Sequence, residues 1–67
     1  MSVSLAAMEE LLRRGGAERV SEDAKIALKK AVEDYAIKIG GSASKYARHA
    51  RRKTVKSQDI ELALQKQ

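Results

Sequence analysis

The sequence predicts an all-α fold of three helices, short, long and short, completed only when a second chain packs against it. Three observations carry that prediction. Apolar or small residues recur at Ala24, Leu28, Ala31, Tyr35, Ile39, Ala43, Tyr46 and Ala50, in steps of three and four that keep to one helix face. A serine able to cap stands before each of the three stretches, and Gly15-Gly16 stops the first. The chain holds no proline that would interrupt a helix.

The first helix is expected over residues 1–14. Ser2 or Ser4 can cap it, and Leu5, Met8 and Leu12 form a core-facing side with Leu11 beside them. Arg13 and Arg14 sit in its last turn, and Gly15-Gly16 stops it. Residues 17–20 form a short connector that carries Arg19. The bland reading of Arg19 is a solvated loop charge; the sharper one is an arginine set on a turn to meet a phosphate or a groove.

The long helix is expected from Ser21, an N-cap followed by Glu22 and Asp23 at the positive end of the dipole, to about Ala50. Gly40-Gly41 is its weak point, since each glycine costs about 1 kcal/mol relative to alanine. Two shorter helices are the alternative. Ile39 and Ala43 stay in phase across the pair, however, and a loop would reset that phase. About 30 residues of helix span roughly 45 Å. Two short helices cannot cover so long a stripe, so another chain must.

Residues 51–56, Arg-Arg-Lys-Thr-Val-Lys, read as a loop with one or two extended positions. Ser57 is the expected cap of a third helix over residues 58–66, with Asp59 and Glu61 early in it. Ile60, Ala63 and Leu64 face one way, and Leu62 lies on the opposite side.

Composition narrows the function. Residues 1–67 make one domain at most, and small single cores commonly need a second copy. No cysteine and one histidine leave no disulfide framework and argue against a zinc site. No catalytic set and no phosphate-binding glycine motif can be assembled, so no enzyme, cofactor or small-molecule substrate is expected. No apolar run reaches membrane-spanning length, and no signal-peptide pattern is present, so a soluble intracellular protein is expected.

The net charge is +5, and its distribution says more than its sum. Between Tyr35 and Gln58 there is no acidic residue but seven lysines and arginines: Lys38, Lys45, Arg48, Arg51, Arg52, Lys53 and Lys56. Such a segment attracts a polyanion. Trp and Phe are absent, which disfavours an amphipathic membrane face. Only two aromatic side chains, Tyr35 and Tyr46, are present for stacking on single-stranded bases. Double-stranded DNA is the expected partner.

Short, long and short helices with basic connectors resemble the histone fold. Gly16-Ala17-Glu18-Arg19-Val20-Ser21 resembles the first loop of archaeal histones. Ala47-Arg48-His49-Ala50 and Arg52-Lys53-Thr54-Val55-Lys56 resemble the end of their central helix and their second loop. Asp59-Ile60-Glu61-Leu62-Ala63 resembles their third helix. The resemblance covers nearly the whole chain and implies a head-to-tail handshake dimer. The two loops lie some 40 Å apart along one long helix, and antiparallel pairing brings the first loop of one chain beside the second loop of the other. Val20 and Val55 can then pair.

Roles implied by the resemblance follow residue by residue. Arg19 corresponds to an arginine inserted in the minor groove, Lys53 and Thr54 to phosphate contacts with Lys56 beside them, and Arg13 to a basic contact at the end of the first helix. Arg52 and Asp59 correspond to a salt bridge that fixes the second loop. Tyr46, His49, Asp59 and Leu62 correspond to a contact between dimers, with Tyr46 where an aliphatic residue is usual. Gly16, Lys30, Asp34 and Glu61 correspond to positions where superhelical turns stack, although Gly16 has a second reading as a left-handed C-cap, with Gly15 beside it able to serve instead. Glu9 and Glu10 depart from the family pattern and bring negative charge to the first helix. The expected function is thus an archaeal-type histone, cytoplasmic and nucleoid-associated, that pairs with itself or a paralogous histone. It binds double-stranded DNA with little sequence preference and wraps it. The rivals are a histone-fold transcription-complex component used mainly for heterodimerisation and a small basic RNA-associated protein.

Overall fold

The computed structural model describes residues 4–66. It contains α1 (Leu5–Arg14), α2 (Glu22–His49) and α3 (Ser57–Gln65), with no strand among the described residues. The chain divides within α2 into a unit ending at Asp34 and a unit beginning at Tyr35.

In the first unit, Ser4 is extended and its hydroxyl accepts the Ala7 N–H at 3.1 Å, which caps α1. Ser2, the other candidate cap, lies outside the described residues. At the far end Gly16 N–H donates to Arg13 C=O and Ala17 N–H to Leu12 C=O, each at 3.0 Å. These are the two bonds of a Schellman stop. The left-handed residue is Gly16, with φ 114°, whereas Gly15 has φ −81°. Gly15 therefore does not stand in for Gly16: the backbone needs glycine at the second position. Met8 is buried, Leu5 and Leu12 are half-buried, and Leu11 is exposed. α2 starts where expected, with Ser21 Oγ accepting the Ala24 N–H at 3.2 Å.

α2 runs for 28 residues without a break at Gly40-Gly41. In the second unit, Ile39 and Ala43 of α2 pack with Ala63 of α3, and Tyr46 and Ile60 lie against that cluster. The stripe is buried at Ile39, Ala43 and the adjoining Ala47, but Ala31, Tyr35 and Ala50 are exposed. α2 stops at His49 with a second Schellman pair: Arg51 N–H to Arg48 C=O and Arg52 N–H to Ala47 C=O, both 2.9 Å. The left-handed residue here is Arg51, at φ 60°. A side chain in that conformation costs roughly 1 kcal/mol relative to glycine.

α3 departs from expectation at both ends. Ser57 is not its cap but its first residue, and Lys56 occupies the cap position. A lysine side chain has no acceptor. The Asp59 carboxylate reaches back instead and accepts the Lys56 N–H at 2.8 Å, while Asp59 N–H donates to Lys56 C=O at 2.9 Å. Leu64, which periodicity sets beside Ile60 and Ala63 on the inner face, is 43% exposed, little different from Leu62 at 39%. It lies in the last turn of α3, where nothing else in this unit buries it.

Candidate nucleic-acid interface

The loop before α2 is held by α1. Arg13 donates from Nε and Nη2 to Glu9 Oε2, at 3.1 and 2.9 Å, and from Nη1 to the Glu18 carbonyl at 2.8 Å. Glu9 Oε1 takes Lys25 Nζ at 3.0 Å, and Lys25 also meets Glu22 at 2.7 Å. Hydrogen bonds from Lys25 and Arg13 lower the pKa of Glu9, and those to Glu22 and Glu9 raise that of Lys25. One carboxylate thus ties the end of α1 to the start of α2, and the arginine it orients fastens the connector. Arg19 follows Glu18 directly and is exposed.

The loop after α2 repeats the device. Arg52 donates from Nη1 to Asp59 Oδ2 and from Nη2 to Oδ1, both at 2.9 Å, and from Nη1 to the Thr54 carbonyl at 3.0 Å. Asp59 is 1% exposed. The Arg52 guanidinium, then the Lys56 N–H, hold its carboxyl down to about 2. Lys53, Thr54 and Lys56 are exposed on the loop so fixed.

Each connector therefore has an arginine spent on bracing and separate cations left facing solvent. Bracing matters because a polyanion site set in advance loses less conformational entropy on binding. Arg13 is engaged by Glu9 and Glu18, so its charge is partly neutralised where it stands. In sequence Glu9 stands out only as a misplaced negative charge. Its spacing of four from Arg13 was the available sign of a pair.

Other expected site residues are placed as follows. Tyr46 is half-buried and His49 exposed, and with Ser42 and Lys45 they line a shallow hollow on α2. Leu62 is exposed. Asp59 is directed into its own loop, with three hydrogen bonds already accepted. Lys30 and Asp34 are exposed and bond each other at 3.0 Å, and Glu61 and Gly16 are exposed. Among the described residues no cluster of acidic, histidine or cysteine side chains is placed to hold a metal, and no helix is long and apolar enough to cross a membrane.

The sequence profile described as histone-like transcription factor (CBF/NF-Y) and archaeal histone matches residues 1–64. The chain belongs to this histone family. One of the subunits of archaeal histone HAN1 from Thermococcus zilligii is 53% identical to it over 60 residues, 90% of each chain. A probable archaeal histone 3 from Methanocaldococcus jannaschii is 43% identical over 54 residues, 81% of each. The helix order matches the histone fold. Histones are structural, DNA-binding proteins and not enzymes.

Proposed function

We propose that this histone-fold chain acts as one domain over residues 1–67, pairs head to tail in a handshake dimer, and wraps double-stranded DNA with little sequence preference. The observation that carries the DNA reading is the pair of arginine-braced loops with exposed Arg19, Lys53, Thr54 and Lys56. In the head-to-tail pairing, the loop before α2 of one chain meets the loop after α2 of the other, and Val20 can pair with the exposed Val55. Arg19 enters a minor groove that faces the protein, while Lys53 and Thr54 hold phosphates by charge and hydroxyl. Such binding reads backbone and deformability rather than base edges. Arg13 contributes mainly through its hold on the first loop.

Pairing is supported by the apolar side chains the single chain leaves exposed, among them Ile26 at 56%, Ile37 at 73% and Leu64 at 43%. The partner is a second copy or a paralogous histone, and the complex belongs on the chromosome in the cytoplasm. Dimers join through Tyr46, His49 and Leu62. A carboxylate offers about four acceptor positions and Asp59 uses three, but at 1% exposure its fourth is covered in the single chain, so a partner's histidine reaches it only where the loop after α2 shifts as dimers join. Gly16, Lys30, Asp34 and Glu61 are the proposed positions of contact between successive DNA turns, with Gly16 already required by its backbone.

The test is salt-dependent binding to a duplex of mixed sequence. If a dimer neutralises about six phosphates, log affinity falls against log salt with a slope near −5. Arg19→Ala is expected to weaken binding more than loss of an exposed charge elsewhere. Equal binding by mutant and parent at moderate salt removes Arg19 from the contact, and salt-insensitive binding by the parent removes the DNA reading.

A further inference from the structure

The two helix stops contrast. α1 and α2 both end in a Schellman pair of bonds, and the residue that donates the first of them is left-handed. After α1 that residue is Gly16, which adopts the conformation freely. After α2 it is Arg51, the one non-glycine with positive φ among the described residues. The chain thus accepts backbone strain at the second stop that it avoids at the first. Strain of this kind persists where a side chain has work to do.

The surroundings indicate what that work is. Arg51 is exposed, and no ion pair engages it among the described residues. Its neighbour Arg52 is committed to Asp59 and the Thr54 carbonyl. Of three consecutive cations, the middle one braces the loop and the outer two, Arg51 and Lys53, remain available. No acidic residue stands between Tyr35 and Gln58 to neutralise them. A helix-dipole role for Arg51 is already filled, since Arg48 and His49 occupy the last turn of α2.

We infer that Arg51 is a phosphate contact for double-stranded DNA, kept in a left-handed conformation for its charge. This rests on the DNA reading above. Arginine suits the role because its planar donors match phosphate oxygens in pairs.

Strain and charge make opposite demands, so one substitution separates them. Arg51→Gly relieves the backbone and removes the cation; Arg51→Lys keeps both the charge and the strain. Thermal melts of the free protein at matched concentration and affinity for a mixed-sequence duplex across several salt concentrations are measured for all three proteins. Arg51→Gly is expected to melt above the parent yet bind DNA more weakly, with a log–log salt slope shallower by about 0.9 for each chain in the bound unit. Arg51→Lys is expected to retain the parent's slope. If the parent binds with a steep salt slope and Arg51→Gly matches its affinity and slope, Arg51 is no phosphate contact and the DNA reading stands. An Arg51→Gly protein that melts below the parent overturns the strain argument. A parent that shows no salt-dependent duplex binding overturns the DNA reading, and this proposal with it.

Discussion

Gly41 is a place where the chain gives up helix stability for no reason visible within itself. It lies inside α2, and a Cβ built on it meets nothing within 4 Å. At about 100° per residue, it points roughly 160–200° away from Ile39 and Ala43, the buried part of the stripe. Gly41→Ala therefore removes a propensity deficit of about 0.8–1.0 kcal/mol without creating a clash. For a chain of this size that corresponds to a rise in melting temperature of roughly 4–8 °C. Far-ultraviolet circular dichroism, which reports helix content, follows the melt, with both proteins at one concentration because pairing shifts the midpoint. Gly40 is the internal comparison. It is half-buried on the flank of the buried stripe, and its carbonyl accepts the Ser44 hydroxyl at 2.8 Å; if the proposed pairing lays a partner's helix on that flank, Gly40→Ala gains less. A Gly41→Ala protein that melts at or below the parent refutes the reasoning, because something must then occupy the space over Gly41.

Three further outcomes are expected. The melting temperature rises with protein concentration, since the exposed apolar side chains are covered only on pairing; a folded monomer with a concentration-independent melt at micromolar protein contradicts the handshake. Asp59 titrates in the folded chain at about 2, below its ordinary value of 3.8, so the stability it lends is complete above about pH 4 and lost as pH falls through 2. Melts across that window show a decline that Arg52→Ala flattens; an unchanged decline in Arg52→Ala assigns the acid sensitivity elsewhere. Gly16→Leu forces a side chain to φ 114° and lowers stability by about 1–3 kcal/mol. If the variant folds but forms shorter or less compact complexes on long DNA by sedimentation, Gly16 also serves turn stacking; a melt equal to the parent's removes the backbone requirement.

Local chemistry made much of this fold legible. Ser4 and Ser21 cap as their type predicts, and the phase carried across Gly40-Gly41 correctly signalled one helix. Errors arose where one residue answers two demands. Asp59 closes the start of α3 and holds Arg52 as well, which makes Ser57 unnecessary as a cap; residue type alone favours the serine. Leu64 follows the helical period of Ile60, but periodicity cannot tell where a helix runs past the neighbour that would cover it. In the candidate interface, the exposed cations were readable from charge and motif. The hold of Arg13 on the connector was not, because it depends on where the Glu18 carbonyl falls. Nor was the left-handed Arg51, since a Schellman stop is recognised in sequence by its glycine, and this one has none.

The central claim is that paired chains wrap double-stranded DNA. Nuclease digestion of complexes reconstituted on long DNA tests it most directly. Wrapping by dimers added end to end predicts a ladder of protected lengths, and a single closed particle would leave one band. Digestion of the DNA without protected fragments, at a protein concentration and salt where binding is saturated, would contradict the claim.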